Sequence, residues 1–172
     1  MNEVLQALKT RRSVRAYQPR QVEKELLDQV LEAGTYAPTG SGKQSPVIVA
    51  VQDPDTVRQL SRMNAAVNGG KGDPFYGAPT VLVVLADKSR RTYLLDGAAV
   101  LTTLLNAAHA VGLASCWVHR AKEEFESEEG KALLKKWGIA GDYEGIGHVV
   151  LGYAATEPGE PDPRKSDYIV RV

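Results

Sequence analysis

The chain has 172 residues, 43% hydrophobic and 24% charged, which suits a single folded domain over 1–172 with a sizeable core and excludes an intrinsically disordered chain. Its 21 Lys and Arg balance 21 Asp and Glu, so no global basic field points to nucleic acid or an anionic membrane, and any anion site must be local. The single cysteine, Cys116, excludes an intrachain disulfide and fits a reducing compartment.

The opening MNEVLQALKTRR has no long apolar run behind its charges, so it reads as neither a secretory signal nor a membrane span, and a cytoplasmic protein is expected. Val4, Leu5 and Leu8 recur at helical spacing and predict a short helix over 2–10 that ends at an arginine cluster, TRRSVRAY. Val22, Leu26, Leu27, Val30 and Leu31 stripe a second helix closed by Gly34 and Pro38. After the loop APTGSGKQSP, Val47–Val51 is a continuous apolar run of strand length, and Asp53-Pro54 opens a third helix. The glycine-rich stretch Asn68–Pro74 is a surface loop or lid, and Thr80–Leu85 is a second buried strand. Leu94–Val111 reads as a central helix buried on most sides. Ser115–Val118 and Gly147–Ala155 are further strands, with an amphipathic helix over Glu128–Trp137 between them. Tyr168–Val172 alternates like an edge strand, beyond a connector biased in Pro, Asp and Glu, and such an arm can reach a second subunit.

Two tempting motifs fail. Gly40–Ser45 (GSGKQS) looks like a phosphate-binding P-loop, but the first glycine of that pattern falls on Ala37, Gln44 follows the lysine, and the context is helix-loop-strand. His109, His119 and His148 lack acidic or cysteine neighbours at metal-ligand spacing, and Cys116 and His119 lie three apart on a strand, on opposite faces. With no nucleophile or metal set in view, any catalysis falls to a bound cofactor. Guanidinium forks and a serine hydroxyl at a helix end suit a phosphate monoester, although the same cluster also reads as a solvated helix end.

RRSVRAY, APTGSGKQSPVIVAV, DPFYGAPTVLVVLAD, GLASCWVH and GIGHVVLGYA occur here in the order they take in the FMN-dependent nitroreductase family, whose compact members the chain resembles over nearly its whole length. The resemblance implies an α+β fold, a mixed and mostly antiparallel sheet flanked by helices, in an intertwined homodimer with two FMN sites. It implies that Arg11, Arg12, Ser13 and Arg15 hold the FMN phosphate, ribityl chain and ring edge. Pro38, Thr39 and Gln44 would cover the flavin of the other subunit, with Gly42 standing where the family has asparagine. Backbone around Cys116, Trp117 and Val118 would pass the flavin N5 and O4, with Cys116 a packed small residue. Gly152 matches the glycine turn near the phosphate, Arg164 and Lys165 the basic carboxyl-terminal arm, and Asn64 an asparagine at the pyrimidine edge.

The activity so implied is ping-pong transfer of hydride from NADH or NADPH through FMN to a small-molecule electrophile such as a nitroaromatic or quinone, with no catalytic side chain required. Two alternatives stay open: a flavin-handling or dehalogenating reductase of the same fold, differing in the Asn64–Tyr76 loop, and a non-enzymatic flavin-binding or sensing module.

Overall fold

The computed structural model describes residues 2–172. Helix α1 (Glu3–Thr10) is capped by Asn2, whose side chain accepts from the Val4 and Leu5 amides, and it buries no residue. Helix α2 (Lys24–Thr35) turns Leu27, Val30 and Gly34 inward. Gly34 allows close packing there, since a Cβ would lie 2.5 Å from Leu104 Cδ2 and force that side chain to shift. Strand β1 (Pro46–Val51) leads to α3 (Pro54–Val67), where Asp53 accepts from the Thr56 amide and Pro54 occupies the first turn. Strand β2 (Thr80–Asp87), helix α4 (Tyr93–Ala110) and strand β3 (Ala114–Val118) follow, then α5 (Ala121–Glu126), α6 (Glu128–Lys136) and strand β4 (Tyr143–Gly152).

The sheet order is β1-β2-β4-β3 and every strand pair is antiparallel; the parallel component is an isolated bridge between Ser13 and Ser115. Val81 through Ala86 are wholly buried, so β2 reads as an unbroken apolar run rather than an alternating one. Its alternate side chains feed two cores. Val81, Val83 and Leu85 pack with Leu60 and Met63 of α3, Phe125 of α5 and Leu133 of α6, while Leu82, Val84 and Ala86 meet Leu27 and Val30 of α2 and Leu101 and Leu104 of α4. At about 1.5–3 kcal/mol for each fully buried aliphatic side chain, this double-faced sheet dominates the favourable side of folding.

The sequence expectations differ from the structure at four places. Strand β4 starts at Tyr143, four residues before Gly147, and its first half contains Gly145, Gly147 and a register shift opposite Val84/Leu85. Helix α5, only six residues long, lies unpredicted between β3 and α6. The glycine-rich stretch is on the surface as expected, but its end is anchored: Asp73 accepts from Ser61 Oγ and from the Phe75 and Gly77 amides, and Phe75 is buried. Tyr168–Val172 forms no strand within its own chain; Tyr168, Ile169 and Val170 are exposed.

The first core holds a buried polar network, in which His148 Nδ1 is left without a partner. Glu124, buried, lies with both carboxylate oxygens 3.0 Å from His148 Nε2, and Asn64 donates to Glu124 and to the His119 carbonyl. Arg120 Nε donates to Asn64 Oδ1 at 3.0 Å. These bonds tie α3, α5 and β4 together, and they use the Asn64 amide completely.

Gly145 passes so close to α5 that an added Cβ would sit 2.3 Å from the Ala121 carbonyl oxygen, and neither backbone can yield. Gly145→Ala is expected to cost about 1–3 kcal/mol, read as a lowered midpoint in urea denaturation with an unchanged slope. A second expectation concerns the join between the end of β4 and the start of α2. The Tyr153 hydroxyl and the Arg20 guanidinium both bond the Glu23 carboxylate, and together they hold its pKa down to about 2. A depressed carboxylate stabilises the fold fully above its ordinary value of 4.5, and the contribution is lost as pH falls toward 2. Tyr153→Phe should therefore lower the neutral-pH thermal midpoint slightly and flatten its decline across that acid window, so that variant and parent converge as pH approaches 2.

Candidate active site

The arginine segment is an extended strip stitched to the sheet. The Val14 amide donates to the Ser115 carbonyl at 3.1 Å, the Gln18 amide to Tyr153, and the Ala155 amide to Ala16. Val14 and Tyr17 are buried, and Tyr17 Oη donates to the Val14 carbonyl at 2.8 Å. Gly152 lets this strip lie flat, since a Cβ there would meet Pro79 Cδ at 2.9 Å and Tyr17 Cδ1 at 3.1 Å. Ser13 and Arg15, flanking buried Val14, are exposed by the alternation of an extended chain.

The three arginines have different duties. Arg12 Nη1 donates to the Lys9 and Arg11 carbonyls, both at 2.8 Å, and so caps the end of α1. Arg15 is exposed and points away from the core face that holds Val14. Arg11 carries a buried Nη1 with no partner, and Ser115 Oγ is likewise buried and unpartnered. Both line a cavity of about 270 Å³ with Thr10, Arg12, His109 and Gly112. Thr10 Oγ1 and His109 Nε2 are 2.8 Å apart, and burial first, then the charges of Arg11 and Arg12, press the His109 pKa below its ordinary value. The orphaned guanidinium donor and orphaned hydroxyl, with the Arg12 guanidinium beside them, favour an anionic, acceptor-rich group, and Glu157 is the carboxylate on the cavity wall. The donor set therefore fits a phosphate monoester such as that of FMN.

Strand β3 is one edge of the sheet, bridged by the strip at Ser115. Ser115 turns its carbonyl outward to Val14, so Trp117, two residues on, presents its N–H and C=O to the same edge just beyond the arginine strip. The side chains of Cys116 and Val118 face inward and are buried. Cys116 Sγ lies 3.6 Å from the Trp117 carbonyl, in the first core, as packing material.

The Pro38–Gln44 loop is elsewhere. Ser41 and Gln44 hold φ of 53° and 51°, a left-handed conformation that costs non-glycine residues about 1–3 kcal/mol each and persists only where the surroundings impose it. Thr39 Oγ1 accepts from the Gln44 amide at 3.0 Å, and Asp96, which in the sequence is only a polar interruption of α4, accepts from the Gly40 amide and from Ser45 Oγ. Pro38 and Gln44 are exposed on the crest, beside a groove of about 360 Å³ lined by Leu31, Thr35 and Ile48.

The loop and the arginine strip are held at opposite ends of α4. Asp96 anchors the first, His109 bonds Thr10 just before the second, and the thirteen-residue step from one to the other spans about 20 Å of helix axis. Arg164 and Lys165 are exposed on the tail and meet neither group; Lys165 Nζ lies 3.6 Å from Asp167 and 5.7 Å from the Tyr168 ring centroid. Asn64 is a correction: with no exposed surface and its amide committed to Glu124, His119 and Arg120, it is not available to a flavin edge.

The nitroreductase family model matches residues 8–72 and 64–153, which takes in the arginine strip, the loop, β3 and Gly152. The chain superposes on a nitroreductase with bound FMN from Bacteroides fragilis at a TM-score of 0.92 and 28% identity, covering 100% of both chains. It superposes on a second, also with bound FMN, from Desulfitobacterium hafniense at a TM-score of 0.90 and 26% identity, covering 100% of this chain and 99% of that one. A relative from Archaeoglobus fulgidus, by provisional name an NADH dehydrogenase/NAD(P)H nitroreductase, is 31% identical over 162 residues, 91% of this chain and 88% of its own. No helix among the described residues is long and apolar enough to cross a membrane. With the same fold carrying the same ordered motifs along nearly the whole length, the chain belongs to the nitroreductase family of oxidoreductases.

Proposed function

We propose that the protein is an FMN-dependent NAD(P)H oxidoreductase that works as a homodimer and passes electrons to small electrophiles such as nitroaromatics or quinones. The observation that carries the reading is the orphaned Arg11 donor, which lines one cavity with Ser115, at the foot of a strip that leaves Ser13 and Arg15 exposed along the edge of β3. FMN, when bound, supplies the hydride chemistry, taking reducing equivalents from a nicotinamide and yielding them to an acceptor that follows it into the same place.

The chain supplies binding, charge and shape. Arg11 and Ser13 hold the phosphate end, and Arg12 sets the backbone that presents them by capping α1. Arg15, exposed two residues beyond Ser13 on the same strip, adds a second guanidinium to the phosphate end, away from the reacting ring. The outward N–H of Trp117 serves as a main-chain donor to the ring, held in place by the pairing of β3 with β4. Pro38, Thr39 and Gln44 cover the flavin of a second copy, because α4 keeps them about 20 Å from the strip of their own chain. The basic tail residues Arg164 and Lys165, free of any such strip in their own subunit, add charge across the same interface.

The reading is tested by anaerobic spectroscopy of the purified protein. A yellow preparation should bleach with NADH or NADPH and recolour on addition of a nitroaromatic or quinone. A yellow protein that never bleaches belongs instead to the flavin-binding class without turnover. Arg15→Ala should weaken FMN about ten- to a hundred-fold, as expected for one lost hydrogen bond to a charged group. The variant should purify pale and recover near-parent turnover in excess FMN. Unchanged FMN affinity by fluorescence titration would return Arg15 to the status of a solvated helix-end charge.

A further inference from the structure

Helix α4 is apolar along most of its length, yet its first turn carries Asp96 at only 3% exposure. Burial alone would push that carboxyl toward its neutral form, but hydrogen bonds from Ser45, Gly40 and Thr92 outweigh the burial and hold its pKa below the ordinary value. The Gly40 amide donates to Oδ1 at 2.9 Å, Ser45 Oγ to Oδ2 at 2.7 Å and Thr92 Oγ1 to Oδ2 at 3.1 Å. Two of these three donors come from the loop, and none comes from the arginine strip. Gly40 can reach the carboxylate because it has no Cβ; one would lie 2.2 Å from Thr92 Oγ1. The loop is thus bolted at both ends to one ionised group, while its crest, with Ser41 and Gln44 in left-handed conformations, stands exposed.

Resting on the flavin reading above, we propose that Asp96 is a positioning residue that acts in trans: its carboxylate sets the Thr39–Gln44 crest that closes over the flavin bound by the arginine strip of the second copy. The separation along α4 makes the direction of action specific. An effect of Asp96 on its own chain's strip would have to travel some 20 Å of helix, whereas the loop it bonds directly faces outward.

The test uses homodimers and mixed dimers of full-length chains carrying two different affinity tags, with FMN itself as the probe. The Asp96→Ala homodimer is expected to keep the parent's circular dichroism and dimer mass and to bind FMN about tenfold more weakly, because the Gly40 amide and Ser45 hydroxyl lose their shared acceptor. Asp96→Asn, which keeps one acceptor, should fall between the two. In the mixed dimer of one Asp96→Ala chain and one Arg15→Ala chain, one site combines an intact strip with an intact loop, and the other is doubly defective. Titration should therefore recover one site per dimer at the parent's affinity. A mixed dimer with no recovered site would show that Asp96 acts on its own chain, and an Asp96→Ala homodimer with parent affinity would show that it is structural only; either result overturns the proposal. A parent that binds no FMN would overturn the flavin reading itself, so the two failures are distinct. Should Asp96→Ala fail to fold, Ser45→Ala in the same mixed design separates action in trans from action in cis equally well, with a smaller loss in the homodimer and the same recovery of one site.

Discussion

The length of one helix governs what the molecule can do. Helix α4 is packed between the sheet and α2, and its 18 residues fix about 27 Å between the segments at its two ends. Its apolar sequence allows burial on most sides, and two of its polar residues touch what the function needs: Asp96 the loop, His109 the turn before the arginine strip. On the proposed reading, a rigid spacer of this length carries the loop away from its own chain's phosphate end and over the strip of a two-fold-related copy, which gives two equivalent sites at once.

At the strip end, the fold separates the structural use of arginine from its binding use. A guanidinium has five donors, and a helix end offers several unpaired carbonyls, so a cluster of arginines at such an end tends to be absorbed by its own backbone. Arg12 is absorbed in this way. Arg11 is instead left with a buried donor unmatched, an arrangement that raises the free energy of the empty chain and lowers it again when an acceptor arrives. The strip cannot relax to satisfy that donor because Val14, Tyr17, Gln18 and Ala155 fasten it to β3 and the end of β4. Pre-organisation at this point is the work of hydrogen bonds to backbone, which is why Gly152, with no side chain to contribute, matters to the site.

Much of this is legible in the sequence. The apolar runs 47–51 and 80–85 mark β1 and β2 because both are continuous and strand-length, and the stripe that marks α2 supplies Val22, Leu27 and Val30 to the second core. What is hidden shares a physical cause. Gly145 and Gly147 depress strand propensity at the start of β4, yet they are there because α5 and Trp117 come too close for a Cβ. Asn64, Glu124 and His148 are distant in sequence and carry no local pattern, so the buried network they form is invisible there and Asn64 alone suggests a flavin contact. Asp96 leaves a faint signal, an acid in the first turn of a helix that has no other, but the loop it holds is more than fifty residues earlier. The alternation of Tyr168–Val172 is real, and within one chain it finds no sheet edge to join.

The exposed apolar surface follows the same logic as the divided site. Helix α1 is amphipathic yet buries nothing, leaving Val4, Leu5 and Leu8 in solvent, and the tail leaves Tyr168, Ile169 and Val170 there as well. Both elements adjoin groups assigned to flavin: α1 runs directly into Arg11, and the tail carries Arg164 and Lys165. Apolar surface next to an unfinished polar site is what a chain shows when its partner is a copy of itself, since one contact then covers the first and completes the second. A ligand that binds only the paired form must stabilise it by mass action, and pairing must in turn raise affinity for the ligand by the same free energy. On the reading proposed above, flavin affinity and subunit affinity are therefore linked through one equilibrium.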